Sequence, residues 1–398
     1  MKVLVVCQHY YPEPFTITHV CEHLASSGHD VLVVTAKPHY GYTEIPKEYA
    51  HVDDEVRNGV RLHRVNIAIR TNTRSSIIRN YLSFYFNAMS YVRRLKEEFD
   101  VVYSMSLSPI ISVAPGNLYA KKHHVKHVLH CLDLWPESVL ITNAVKKDSA
   151  MYKALYRWSR KIYSEADEIL ISSPSFYDYF RDVLHLGEKK IEFCMQPPLL
   201  AKQIGEDVIY ERPTFVYAGN IGRLQLIDEL LESFSLLLHW GFDADLIMIG
   251  AGSRLEEAKA LSEKLGLSSH VRFLGMKPRG VTAGYYANAE GIVVPLKEEG
   301  YVGKTIPNKL VSCLAEGKPI MAFLGGDGAK LLRESGGAIF PKSMDAAGFA
   351  DAFAKLLLSS KEEKERLGQN NRDYYLSSCE QGQLCRKIEE KLLQSAKK

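Results

Sequence analysis

The chain has no run of 18 or more apolar residues, so nothing in it reads as a bilayer-spanning helix. C-x-x-C pairs are absent, and the seven cysteines (Cys7, Cys21, Cys131, Cys194, Cys313, Cys379, Cys385) are odd in number and scattered. That argues against a disulfide framework and a zinc site, and for a reducing cytoplasm. Low-complexity tracts are missing, and a hydrophobic share of 46% is too high for a disordered chain. The apolar opening, Met1 to Cys7, is too short for a secretory leader and reads as a buried strand. Net charge is only +3 and no recognition module is visible, which disfavours nucleic acid as a partner. One absence is local: between Arg57 and Lys96 stand nine basic residues and no carboxylate. The charge excess belongs to that half, since residues 1–198 hold 24 Lys and Arg against 21 Asp and Glu, while residues 199–398 hold 26 of each.

What is present is an alternation of short β-branched runs with amphipathic stretches. Strands are expected at Val3–Cys7, Val31–Thr35, Arg61–Ile67, Val101–Met105, His127–Leu132 and Glu168–Ser172, with helical patterns near 17–27, 75–97, 109–123, 148–165 and 174–184. The scheme repeats with Phe215–Ala218, Leu246–Ile249, Arg272–Leu274, Gly291–Pro295, Ile320–Phe323 and Ala338–Phe340, between helices near 226–239, 253–265, 282–289, 308–316, 327–335 and 345–359. Such alternation predicts an α/β protein with two doubly wound, Rossmann-like parallel sheets. The 398 residues suffice for two domains, and Gln196-Pro197-Pro198 marks the break: 1–198, then 199–375, then a charged helical tail, 376–398, whose partner the pattern does not decide. Two facing sheets would open the carboxyl ends of their strands onto a crevice, so the loops after the strands are where chemistry is expected.

Four loops stand out. Gly219-Asn220-Ile221-Gly222-Arg223 joins a strand to a helix; its glycines admit close backbone approach and Arg223 offers a planar fork to phosphate oxygens, or it is a tight turn with a solvated arginine. Gly250-Ala251-Gly252 carries only part of the dinucleotide fingerprint and reads as close packing, and no such fingerprint follows the first strand. The segment Lys297 to Lys309 leads into a helix through Pro307-Asn308, where Lys304 and Lys309 add charge to free helix-start N–H groups, a natural seat for a diphosphate; the alternative is an exposed charged loop. In the first half, Asp133-Leu134-Trp135-Pro136-Glu137 puts carboxylates at a strand end, with Asp133 either a sugar contact and proton acceptor or a helix cap, and His130 a core histidine. The turn Tyr10-Tyr11-Pro12-Glu13-Pro14 follows the first strand and faces the same way. Asp243-Ala244-Asp245 precedes its strand and so lies at the wrong end of the sheet to hold a catalytic metal; none is expected.

From Ser75 to Phe99, Ile78, Leu82, Tyr85, Met89, Val92 and Leu95 recur at helical spacing, with Tyr81, Phe84, Phe86 and Tyr91 adding aromatic surface. Arg70, Arg74, Arg79, Arg93 and Arg94 flank this helix, which suits the surface of an anionic membrane at roughly 1 kcal/mol per basic residue, or else packs on the sheet with solvated arginines.

Taken together, Gln8-His9-Tyr10-Tyr11-Pro12-Glu13-Pro14, Asp133-Leu134-Trp135-Pro136-Glu137-Ser138, Gly219-Asn220-Ile221-Gly222-Arg223, and Ile306-Pro307-Asn308-Lys309 with Glu316-Gly317-Lys318-Pro319 resemble the family 4 glycosyltransferases of the GT-B fold. The likeness is to the bacterial surface-polysaccharide branch that includes N-acetyl-fucosamine transferases. It implies retaining, metal-independent transfer from a nucleotide diphosphate sugar, UDP-linked in expectation, to a lipid-linked or polysaccharide acceptor, with no cofactor. It also implies a peripheral place at the inner face of the cell membrane, and a C-terminal helix crossing back to the first domain. Carried over residue by residue, the donor site comprises Gly219, Asn220, Gly222, Arg223, Lys304, Pro307, Asn308, Lys309 and Ser312, and the acceptor side Tyr11, Glu13, Asp133 and Glu137. Asp133, Glu299 and Arg223 are the expected catalytic residues: Asp133 orients the acceptor, Glu299 binds a donor hydroxyl, and Arg223 neutralises the leaving group. The sequence departs from the family where Ser312 stands in place of a second glutamate and Leu132 precedes Asp133 in place of a histidine. A non-hydrolysing nucleotide-sugar epimerase and a non-catalytic nucleotide-sugar scaffold are the competing readings.

Overall fold

The computed structural model describes residues 1–71, 73–141 and 145–396. It divides into two units, Met1–Pro197 with Gln381–Lys398, and Pro198–Glu380; the last two residues of the tail expected over 376–398 lie outside the described residues.

The first unit is built on strands β1 (Lys2–Val6), β2 (Asp30–Ala36), β3 (Asp54–Arg57), β4 (Val60–Val65), β5 (Val101–Ser106), β6 (Lys126–Cys131), β7 (Glu168–Ile171) and β8 (Lys190–Phe193). They lie in the order β3-β4-β2-β1-β5-β6-β7-β8, parallel except for the β3–β4 hairpin. That hairpin turns on Asn58 and Gly59, both at positive φ, the conformation a two-residue turn between twisted strands requires. Successive β1 residues point to opposite faces. Val3 and Val5 join a core with the helices Ile17–Ser26 and Gln381–Ala396, and Leu4 and Val6 join another with the helix Arg74–Arg94. Burial on both faces explains the uninterrupted apolar runs.

The C-terminal helix is fastened to the first unit by polar contacts as well. Glu389 bonds the Nε2 atoms of His23 and His29, each at 2.8 Å, Ser395 donates to Glu168, and Lys391 pairs with Glu192.

The second unit carries β9 (Thr214–Ala218), β10 (Asp245–Ile249), β11 (Val271–Gly275), β12 (Gly291–Leu296), β13 (Ile320–Leu324) and β14 (Ala338–Ile339), all parallel, in the order β11-β10-β9-β12-β13-β14. The doubly wound α/β class expected from the sequence is therefore found in both units. In each, the winding changes direction once, between β1 and β5 and between β9 and β12, and the loops beyond those carboxyl ends are the ligand positions of an open sheet.

Three local expectations need correction. The short strands β3 and β8 were not foreseen in the polar sequences they occupy. The helical pattern over 174–184 resolves into a single turn, Phe176–Asp178, and a wider π turn, Tyr179–Val183. The helix Arg74–Arg94 buries Ser76, Asn80, Phe84, Ala88 and Val92; of the expected stripe only Val92 is fully buried, Leu82, Tyr85, Met89 and Leu95 are half-buried, and Ile78 is exposed. Its buried polar residues are hydrogen-bonded: Asn80 accepts from Gln8 and donates to Ala68 O, and Ser76 bonds Thr71 and Thr73. Polar groups satisfied in this way sit inside at little cost, so apolar spacing alone points to the wrong face.

Candidate functional sites

In the second unit the loop after β9 runs Gly219 to Arg223 and meets the loop after β12 where Lys297 N donates to Leu224 O at 2.7 Å. A Cβ on Gly219 would lie 3.2 Å from both Lys309 Nζ and the Tyr217 hydroxyl, so the glycine leaves the space through which Lys309 reaches. Gly250 has φ +146 and touches the carbonyl of Gly219, and Gly252 lies against Ile221 O, so these glycines serve close packing beneath the loop.

The helix Asn308–Ala315 starts after Pro307, which caps it from outside and does not form its first turn. Lys309, in that first turn, holds its ammonium 4.6 Å above the Tyr217 ring, with no carboxylate partner among the described residues. Burial lowers its pKa from the ordinary 10.5 to about 8, with only a weak opposing pull from Cys313. Beside it, Asn308 Oδ1 is buried and accepts no hydrogen bond. A cation without a carboxylate at a helix start suits an anion, whereas Asn308 Oδ1, an acceptor, calls for a donor such as a ligand hydroxyl or N–H.

The other donor-side residues are more dispersed. Arg223 is exposed, and its charge is felt by Glu299. Glu299 is exposed and paired with Lys297 at 2.9 Å, which, followed by Arg223, keeps its carboxyl below the ordinary value. Lys304 is exposed too, its backbone packed over Gly326. Glu298 is exposed as well, and its carboxylate lies against Gly325 ahead of the helix Gly326–Ser335. The run Gly325-Gly326-Asp327-Gly328 is the sequence mark of that close approach. Ser312 donates to Leu199 O at 3.3 Å, so its hydroxyl is engaged with main chain and not open to a donor. Asp243 and Asp245 stand at the amino end of β10 and both pair with Arg212.

In the first unit, Asp133 follows β6 and receives the Ser108 backbone N–H from the end of β5. Burial raises its pKa, and that hydrogen bond pulls the other way. Glu137 accepts from the Tyr152 hydroxyl at 2.5 Å. Tyr11 stacks beneath Arg57, 3.3 Å from ring centroid to guanidinium, so its ring is occupied.

Glu13 departs most from expectation. Only 4% exposed, it accepts the backbone N–H groups of His39 and Tyr40 on Oε1, at 2.7 and 2.5 Å, and bonds His9 Nδ1 on Oε2 at 2.8 Å. With both oxygens occupied it cannot contact an acceptor directly. Burial would raise its carboxyl; the bonds and charges of His9 and His39 outweigh that and hold it low. His9, passed over in the sequence, is thus the group that Glu13 orients, and the four-residue spacing of His9 and Glu13 was the available signal. His9, Glu13 and His39 also form the one cluster among the described residues with ligand atoms within 4.8 Å of one another, a metal-capable arrangement whose atoms already bond each other and main chain. His130 is a core residue, bonded to Tyr103 and Cys194 O, and burial lowers its pKa to about 4.

Arg70, Arg74, Arg79, Arg93 and Arg94 are exposed and make no ion pair among the described residues. Arg57, Arg61 and Arg64, from the same acid-free window, pair with Glu22, with Asp30 and Glu97, and with Glu55. Beside the arginine helix, Tyr85 meets Trp158 edge-on, and both line a groove of about 790 Å3. No helix of the described residues is long and apolar enough to cross a membrane.

Comparison with known proteins gives two family matches, a glycosyl transferase 4-like domain over residues 15–193 and glycosyl transferases group 1 over residues 212–359. A curated relative, the probable glycosyltransferase WbjE of Pseudomonas aeruginosa, is 26% identical over 231 residues, 53% of this chain and 54% of that protein. The chain thus spans about half the length of the curated relative it matches. Among solved structures, a sucrose-phosphate synthase from Thermosynechococcus elongatus aligns with a TM-score of 0.72 at 16% identity, over 99% of this chain and 98% of that one. Anabaena HepE in complex with UDP aligns at 0.68 and 10%, over 99% and 100%. WaaG, a glycosyltransferase involved in lipopolysaccharide biosynthesis, aligns at 0.66 and 13%, over 98% and 99%. At such identities these likenesses speak to the fold.

Proposed function

The chain belongs to the glycosyltransferases of the GT-B fold, and we propose that it moves a sugar from a nucleotide diphosphate, UDP in the first instance, to a lipid-linked or polysaccharide acceptor. The observation that carries the reading is Lys309: a half-buried lysine with no carboxylate partner among the described residues, at the start of a helix, beside a glycine that leaves it room. A diphosphate supplies the missing charge. HepE, solved with UDP, is a fold relative whose ligand suggests the base.

The leaving group carries negative charge as the glycosidic bond opens, and neutralising it is the largest contribution the protein can make. Lys309, Arg223 and the free N–H groups after Pro307 would do this, with Lys304 and Asn308 on the segment that enters the same helix. The engagement of Asp243 and Asp245 with Arg212 supports a reaction that needs no metal at that pair. We read the transfer as retaining, by front-side attack of the acceptor hydroxyl, with Asp133 and Glu137 facing the acceptor. An N-acetylated amino sugar is the donor sugar we favour. Glu299, held by Lys297, would bind a donor hydroxyl. The epimerase and scaffold readings are not favoured, since both family matches are to transferases.

The five exposed arginines, with Ile78 and Phe86 exposed on the same helix, support contact with the anionic inner face of the cell membrane, where a lipid-linked acceptor would lie. A thermal-shift panel of UDP, UDP-glucose and UDP-N-acetylglucosamine tests the donor reading. Stabilisation of the wild type that disappears in Lys309→Met is the expected result, and no response to any of the three would sink it.

A further inference from the structure

Beyond the carboxyl ends of β1 and β5, where the first sheet reverses its winding, lies a cavity of about 10 Å3 walled by Gln8, His9, Met105, Leu107 and Ser108 among others. That is room for one water or one hydroxyl group. Two acceptor atoms belong to residues of its wall. Gln8 Oε1 is buried and has no hydrogen-bond partner. His9 bonds Glu13 through Nδ1, and its Nε2 has no hydrogen-bond partner among the described residues.

The surroundings fix which nitrogen of His9 holds the proton. Glu13 is ionised, and its Oε2 lies 2.8 Å from Nδ1, so Nδ1 carries the hydrogen and, in the neutral ring, Nε2 keeps its lone pair. The ring is clamped between Phe15, with centroids 4.5 Å apart, and His39, at 4.9 Å. His39 is itself neutral: its Nε2 faces the Gln8 amide nitrogen and its Nδ1 faces Lys37 O, and burial lowers its pKa to about 4. A base held by an orienting carboxylate, with its lone pair unoccupied at the rim of a hydroxyl-sized cavity, is the arrangement that activates a nucleophilic hydroxyl.

We propose that His9 is the base that removes the proton of the acceptor hydroxyl, with Glu13 as its positioning residue. The proposal rests on the transferase reading and deepens it, giving to the protein a proton that front-side attack otherwise leaves to the departing phosphate. In the step, the acceptor O–H bond breaks and the proton goes to Nε2. The oxygen forms its bond to the anomeric carbon, and the bond from that carbon to the diphosphate breaks with its electron pair leaving on phosphate. The imidazolium, stabilised by Glu13, returns its proton to solvent after product departs.

Two measurements on the full chain test this. In 15N-histidine NMR, His9 is expected as the Nδ1–H tautomer with Nε2 bare, a preference weakened in Glu13→Gln; a wild-type Nε2–H tautomer would overturn the assignment. In the second, UDP release from the UDP-sugar that stabilises the chain most is followed with water and octyl β-glucoside as acceptors. His9→Gln is expected to slow it about 100-fold or more, with the thermal shift by UDP unchanged. Equal rates in wild type and variant would overturn the proposal. So would stoichiometric stabilisation by Zn2+ that Glu13→Gln abolishes, which would make the cluster a metal site. A wild type that UDP does not stabilise would instead remove the transferase reading on which the base depends. If His9→Gln fails to fold, Glu13→Asp, which withdraws the carboxylate from Nδ1 and keeps its charge, is expected to show the same loss of turnover with UDP binding retained.

Discussion

An ammonium partly desolvated beside Gly219, with no carboxylate partner among the described residues, costs free energy that an incoming anion recovers, and Lys309 therefore ties stability, pH and ligand together. Its folded-state pKa, about 8, lies below the ordinary lysine value, so its charge penalises the fold fully below pH 8 and the penalty fades as pH rises. Binding has the opposite sign. A diphosphate selects the protonated form, so UDP affinity measured by calorimetry is expected to hold below pH 8 and fall by up to about tenfold per unit above it. Lys309→Met should flatten that profile, weaken UDP by about 1.5–3 kcal/mol, and raise the melting temperature of the ligand-free protein. A pH-independent wild type would remove Lys309 from the diphosphate. Arg223→Ala is expected to cost transition-state binding of the same order, about 1.5–3 kcal/mol in kcat/KM, and unchanged transfer would count against that residue.

At the level of elements, the strand-to-helix loops of the second unit depend on backbone contact that a single methyl would break. A Cβ on Gly250 would stand 1.8 Å from Gly219 O, and φ +146 is a conformation side chains avoid. Gly250→Ala should therefore lower the melting temperature and abolish the UDP shift together, whereas Gly266→Ala, also at positive φ but with open space around it, should cost stability alone. The C-terminal helix offers a second case. Burial alone would raise the Glu389 carboxyl, but the bonds from His29 and His23 and their charges hold it low. The stability it contributes is present above the ordinary glutamate value and is lost as pH falls through the lowered one. Glu389→Gln is expected to cost about 1–3 kcal/mol near neutral pH in a denaturant titration, with the gap to wild type closing in acid. A constant gap would mean that the histidine clamp is not the cause.

For the whole molecule, charge is the property read at longest range. Five exposed arginines without ion pairs among the described residues, at roughly 1 kcal/mol each near an anionic surface, make vesicle binding a measurable expectation. Co-sedimentation with phosphatidylglycerol vesicles should exceed that with phosphatidylcholine and fall with salt. Reversing Arg79 and Arg93 to glutamate should weaken it by at least thirtyfold, about 2 kcal/mol. Equal retention of the wild type and this double variant on neutral vesicles would point to the aromatic groove beside the helix as the anchor.

By itself the sequence determined the class of fold, because buried parallel strands impose apolar runs and their crossover helices impose the alternation that any reader can count. It also located the glycine loops and the lysine-bearing helix start, since a close backbone approach leaves glycine as a mark. Other features lay beyond it. Strand β3, polar and joined to β4 through the Asn58-Gly59 turn, gave no apolar signal. The buried face of the arginine helix depends on partners for Asn80 and Ser76 that are distant in the chain or not apolar. That Glu13 is spent on His9, that Ser312 is spent on Leu199, and that the Glu298 carboxylate lies against Gly325 were decided by tertiary structure alone. A carboxylate or hydroxyl has the same composition whether it faces a substrate or a backbone amide, and only the folded chain chooses which donor it meets.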